Sequence, residues 1–99
     1  MNKKTIAILG STGSIGRSTL EIIKKTTEFK VELLAVNKNY LKTIIQIKVF
    51  KPRVVVVNNE KVYLKIKKKY SGKSIIILNN FATVQKYIKR IDVTVSAIP

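Results

Sequence analysis

The chain has 99 residues and a formal charge of +15, from 20 lysines and arginines against five acids; this length suits one domain near the lower end of the common range. It contains neither cysteine nor histidine, which excludes disulfides, thiolate metal sites, a cysteine nucleophile and the commonest general base. No apolar run approaches the roughly 18 residues of a membrane span, and the first such run breaks at Gly10, too early for a signal peptide, so a cytoplasmic protein is expected.

Five β-branched, apolar runs follow one another at 5–9, 31–36, 53–57, 74–78 and 93–98. They are continuous rather than alternating, as in parallel strands covered on both faces. The intervening segments have helical spacing. Ile15, Thr19, Ile22 and Ile23 predict one buried stripe, and Leu41, Ile44, Ile45 and Val49 a second. Val62, Ile66 and Tyr70 predict a weaker third among lysines, and Phe81, Val84, Ile88 and Ile91 a fourth. Pro52 before the third strand and Ser71-Gly72 after the third helix supply the punctuation. The expectation is an α/β, Rossmann-like, doubly wound parallel sheet, βαβαβαβαβ, with helices on both faces. The closing "VTVSAIP" is an apolar strand pattern with no helix after it. The chain is therefore expected to be an incomplete sheet, truncated at its fifth strand, from the front of something longer.

Gly10, Gly13 and Gly16 stand between the first strand and the first helix with the spacing G-x-x-G-x-x-G. This is one residue away from the dinucleotide pattern G-x-G-x-x-G. Gly10 would permit the tight turn, Gly13 the close approach of an anion, and Gly16 the packing of helix on strand. The helix start offers unpaired N–H groups and a positive dipole end, which favour a pyrophosphate. Ser11, Thr12 and Ser14 would add hydroxyl donors. Many α/β turns carry glycine for chain geometry alone, and the pattern by itself is weak; its place between strand and helix strengthens it.

At the end of the second strand, where NAD binders commonly place an acid for the ribose 2′-hydroxyl, the chain reads Asn37, Lys38 and Asn39. A lysine and two amides suit the extra phosphate of NADP, which a carboxylate would repel. Asn39 is equally placed to cap the helix that begins at Tyr40.

The string "IAILGSTGSIGRSTLEII", with "LLAVNKN", "FKPRVVVV" and "VTVSAI" in the same order, resembles the 1-deoxy-D-xylulose 5-phosphate reductoisomerase family across essentially the whole chain. The resemblance implies an NADPH-dependent oxidoreductase of non-mevalonate isoprenoid biosynthesis. Its members isomerise a sugar phosphate on Mg or Mn and reduce the product to 2-C-methyl-D-erythritol 4-phosphate. It implies cofactor contacts at Thr12, Gly13, Ser14 and Ile15, and ribose and 2′-phosphate contacts at Asn37, Lys38 and Asn39. Ala97 and Ile98 would lie near the nicotinamide. Asn37 departs from the family, which often has glycine there, and so does Pro99. The family's metal ligands, substrate-phosphate site and catalytic histidines have no counterpart in this chain. Its acids, Glu21, Glu28, Glu32, Glu60 and Asp92, are scattered, so no catalytic or metal-binding residue is assigned. The chain alone is expected at most to bind NADPH, without turning over substrate, and the family relationship implies a homodimer built through other residues.

Two other readings use the same features. Other NADP-dependent oxidoreductases, such as semialdehyde dehydrogenases or atypical short-chain reductases, share glycine-loop variants but lack the full S-T-G-S-I-G string. A basic module that attracts polyanions would account for the charge. The lysines, however, are spread along the chain, and the densest group, Lys65, Lys67, Lys68 and Lys69, has the look of a solvated helix face.

Overall fold

The computed structural model describes residues 3–88 and 90–97. In chain order they form β1 (Lys4–Leu9), α1 (Ser14–Lys24), β2 (Phe29–Val36), α2 (Tyr40–Phe50), β3 (Val54–Val57), α3 (Glu60–Lys69), β4 (Ile76–Leu78), a 3-10 turn (Val84–Lys86) and β5 (Val93–Ser96). The strands stand in the order β4-β3-β2-β1-β5, and every neighbouring pair is parallel. From β1 to β4 the chain steps steadily one way. It then crosses back over the sheet and lays β5 on the free side of β1. With right-handed crossovers, the two directions must use opposite faces.

That rule sorts the core into two layers. Leu20 and Ile23 of α1, Ile44 and Ile47 of α2, and Ile66 of α3 pack with Ile6, Ile8, Leu34, Val36, Val55 and Val57 on one face. Ala7, Leu33, Ala35, Val54 and Val56 face the other way, where Val84, Ile88 and Ile91 cover them. The expected Rossmann-like, doubly wound parallel sheet is thus what forms, with crossovers on both faces; the difference is that the three α-helices share one face and the last crossover covers the other. The fourth predicted helix is likewise reduced to a 3-10 turn, and Phe81 stays exposed. Its remaining apolar residues reach the sheet through a short irregular crossover, because contact with a sheet face does not require continuous helical backbone.

The buried stripes of α1 and α2 also differ from the pattern. In α1 the core line is Gly16, Leu20 and Ile23, whereas Ile15 and Ile22 are 64% and 70% exposed. A Cβ on Gly16 would fall 2.7 Å from Ser11 Cα and against the Gly10 carbonyl oxygen. The helix thus turns its one bare position onto the preceding loop, and that contact chooses between two similar apolar stripes. In α2 the buried residues are Thr43, Ile44, Gln46 and Ile47, and Leu41, Ile45 and Val49 are exposed. Two polar side chains go inside because both find partners there. The third stripe is as expected, with Ile66 fully buried, Val62 and Tyr70 half-buried, and the four lysines exposed.

Local signals place the turns. Lys51 closes α2 in the left-handed region (φ 49°) just before Pro52, and Gly72 has φ +78° after α3. The register of β1 on β2 slips so that Ile6 pairs with Val31 and Ala7 with Leu33, leaving Glu32 as the extra residue of a bulge. At the other edge, Asp92 fastens β5 to β1. Its carboxylate accepts from the Thr5 backbone N–H at 2.8 Å and from Arg90 Nε at 2.7 Å. These bonds, the Thr5 amide first, hold the Asp92 carboxyl below the usual carboxylate range.

Candidate nucleotide-binding site

The reversal of strand order lies between β1 and β5, and in open α/β sheets the crevice beyond the carboxyl ends of such strands is where ligands sit. A cleft of about 330 Å³ occupies that place, lined by Gly10, Thr12, Gly13, Ala35, Val36, Asn37, Asn58 and Ala97. It joins the ends of β1, β2, β3 and β5. The Ala97 N–H donates to the Leu9 carbonyl at 2.7 Å, which draws the end of β5 against the start of the glycine loop. A smaller groove of about 190 Å³ between α1 and α2, lined by Leu20, Ile45, Val49 and Phe50 with lysines at its rim, lies away from these strand ends.

The loop has three glycines with three different physical reasons. Gly10 adopts φ +83°, a conformation that disfavours a side chain. Gly16 has no room for a Cβ. Gly13 is neither strained nor crowded: its φ is −78°, and a Cβ would meet only the Gly10 oxygen at 3.5 Å. Its bareness leaves space on the cleft side of the backbone. Gly13 is the N-cap residue of α1 and supplies no side-chain cap, and the first turn carries no acid. The N–H groups of Ser14, Ile15 and Gly16 precede the first intrahelical bond, from Arg17 N–H to the Gly13 carbonyl. An uncapped positive helix end on a polar cleft is well suited to an anion.

The other two helix starts are closed. Asn39 accepts from the Lys42 N–H at 3.1 Å and Asn59 from the Val62 N–H at 3.1 Å. Glu60 adds an acid to the first turn of α3. Asn39 is thus the cap that its position allows, with its carboxamide oxygen already engaged. Asn37 and Lys38 are exposed on the same turn, and Asn37 lines the cleft. Its backbone carbonyl accepts from the Asn59 N–H at 3.2 Å, tying this turn to the next.

Of the residues singled out in the sequence, Thr12, Gly13, Asn37 and Ala97 line the cleft. Ser14 and Ile15 are exposed at the first turn of α1 and do not line it, nor do Lys38 and Asn39. Ile98 and Pro99 lie outside the described residues. Ser11 corrects an expectation. It is fully buried, and its hydroxyl donates to Gln46 Oε1 at 2.7 Å, so it faces α2 rather than a ligand. Asn58 joins the cleft without having stood out in the sequence. Its signal was "VVVVNN", a polar residue directly after a strand of four buried valines.

Among the described residues, no group of three or more His, Cys, Asp or Glu side chains could hold a metal ion. The described residues therefore do not fit Mg or Mn. No helix among the described residues is long and apolar enough to cross a membrane.

Known proteins share this geometry. The family model for 1-deoxy-D-xylulose 5-phosphate reductoisomerase matches residues 6–99. The enzyme of that name from Pelagibacter ubique (strain HTCC1062) is 64% identical over 47 residues, which are 46% of this chain and 12% of that protein. A crystal structure of DOX-P reductoisomerase in complex with magnesium superposes with a TM-score of 0.84 at 27% identity, covering 98% of this chain and 25% of the other. A complex of DOX-P reductoisomerase with NADPH, fosmidomycin and magnesium gives 0.83 at 28% identity, covering 96% and 24%. The matched stretch is about one eighth of the curated relative's length and one quarter of the solved chains. With its family model matched almost end to end and its fold shared with these structures, the chain belongs to the 1-deoxy-D-xylulose 5-phosphate reductoisomerase family.

Proposed function

We propose that this chain is the NADPH-binding part of a reductoisomerase that makes 2-C-methyl-D-erythritol 4-phosphate in isoprenoid precursor synthesis. The observation that carries the reading is the meeting of the uncapped α1 start, the glycine loop and Asn37 around one cleft at the strand-order reversal. In this reading the free amides of Thr12 and of the first turn of α1 hold the pyrophosphate, and Gly13 gives it room. Asn37 and Lys38 take the adenosine ribose and its 2′-phosphate. The free N–H₂ of Asn39 completes that turn while its oxygen caps α2. Ala97, at the end of β5, marks the side of the cleft for the nicotinamide, with Ile15 as an apolar flank at the loop. NADPH, when bound, supplies the hydride that reduces a carbonyl; this chain's residues bind and orient it.

The resident metal, the sugar-phosphate site, the homodimer contact and the chemistry of rearrangement are assigned, on family likeness, to residues other than these. The described residues do not fit a metal; in this reading their part in the reaction is to bind and orient the cofactor. The +15 charge does not require a nucleic-acid partner. Lysines of α3 lie over tyrosines of the same surface, Lys65 at 5.7 Å from the Tyr40 ring and Lys67 at 5.7 Å from Tyr63, as expected of a solvated face with aliphatic stems laid down.

Calorimetry with NADPH and NADH tests the reading. Binding should favour NADPH, and Lys38→Ala should weaken NADPH about tenfold while leaving NADH unchanged, the scale of one charged hydrogen bond. Equal affinity for the two nucleotides would refute the assignment at Asn37–Lys38. The purified chain is expected to show no turnover of 1-deoxy-D-xylulose 5-phosphate, and measurable product would overturn the separation of binding from chemistry.

A further inference from the structure

The glycine loop is permissive by composition, yet a phosphate cradle has to present its donors in a fixed direction. The stiffening comes from an unexpected place. Gln46, in the second turn of α2, is 7% exposed and reaches across to Ser11, which is fully buried. Gln46 Nε2 donates to the Ser11 carbonyl at 2.8 Å, and Ser11 Oγ donates to Gln46 Oε1 at 2.7 Å. A backbone carbonyl can only accept, so the amide nitrogen must face it and the serine hydroxyl must give its proton to the amide oxygen. The bond pattern is thereby determined in both directions. The Ser11 N–H is held as well, by the Ala35 carbonyl at 3.1 Å, and its Cα lies under Gly16.

Fixing the Ser11 carbonyl fixes more than Ser11. Across a planar trans peptide the C=O and the following N–H point in opposite directions. With the oxygen turned inward to Gln46, the Thr12 N–H is turned away from α2. Thr12 lines the cleft, and among the described residues its N–H has no hydrogen-bond partner.

We propose that Gln46 is a positioning residue for the cofactor: it locks the Ser11–Thr12 peptide so that the Thr12 N–H faces the pyrophosphate of NADPH. The proposal rests on the NADPH reading above. It explains why a glutamine is buried on the sheet-facing side of α2 between Ile44 and Ile47, where burial of an amide is costly unless both its ends are bonded.

The test compares two ligands that share the ribose 2′-phosphate but differ in the pyrophosphate. Gln46→Met keeps the length of the side chain and removes both bonds. It is expected to weaken NADPH about tenfold, the loss of one well-aimed charge-assisted hydrogen bond, while 2′-AMP binds as to the wild type. Unchanged NADPH affinity overturns the proposal, and so does an equal loss for both ligands, the mark of a merely structural role. Should Gln46→Met not fold, Gln46→Glu serves. Its carboxylate still accepts from Ser11 but opposes the Ser11 carbonyl. Its NADPH affinity relative to wild type should recover as falling pH protonates the new carboxyl, which can then donate; a ratio flat with pH overturns the proposal. Wild-type protein that binds no NADPH overturns the nucleotide reading and this proposal together. Wild-type binding with an unaltered variant overturns the proposal alone.

Discussion

The starts of α1 and α3 follow strands of one sheet and point the same way, yet they are built to opposite ends. Asn59 and Glu60 close α3 with a side-chain bond and a negative charge. Gly13 leaves α1 with neither. The closed start gains local stability, typically about 1 kcal/mol for such a cap. The open start forgoes it and retains free donors beside the strand-order reversal. Local stability and the capacity to bind an anion compete for the same N–H groups, and this fold closes α2 and α3 while it leaves α1 open.

Substitutions can break that contrast, beginning with the largest effect. Gly16→Ala places a methyl 2.7 Å from Ser11 Cα, against backbone that cannot swing aside. It should cost about 3 kcal/mol and remove NADPH binding, read by thermal melting and titration. Gly13→Asp would make α1 resemble α3. The position is extended and uncrowded, so the variant should fold with a melting temperature at or above that of the wild type. A carboxylate among the phosphate donors should weaken NADPH by about a hundredfold. A variant that binds normally would show that the open start does not hold the pyrophosphate.

The reverse change sharpens the comparison from the other side. Asn59→Ala should lower stability by about 1 kcal/mol and leave NADPH affinity within about twofold, since the Asn59 side chain caps α3 and does not line the cleft. The smallest effect concerns the edge that makes the cleft. The Asp92 carboxyl is held below its ordinary range in the folded protein, first by the Thr5 amide and then by Arg90. A lowered folded value means stabilisation that is present above the unfolded value, near about pH 4, and lost as pH falls through the folded one. Asp92→Asn should flatten that acid limb in a melting-temperature profile against pH, and an unchanged limb would refute the link.

The α1 loop also shows which part of the site could be read without coordinates. The position of Gly10 implied the tight turn that its positive φ shows, and that of Gly16 implied a close approach, although the excluded Cβ meets the loop at Gly10 and Ser11 rather than the strand. Asn39 as a cap was equally legible, because capping depends on the three residues that follow it. Ser11 was not. Its hydroxyl belongs to Gln46, 35 residues away, and no local pattern distinguishes a serine facing a ligand from one facing a helix. The stripes of α1 and α2 misled for a related reason. Where isoleucine is abundant on several sides, periodicity offers more than one apolar face, and contact with the loop selects among them.

By itself the sequence determined the succession of strands and helices, their turns and the glycine loop, because these follow from short-range sterics, hydrophobic period and backbone capping. Only the tertiary structure decided that three helices share a face, that the described part of the crossover before β5 carries a 3-10 turn, and that a glutamine of α2 bonds to the loop at Ser11. Each depends on which distant groups meet, and that is settled by the right-handed crossovers and by the need of buried polar groups for partners.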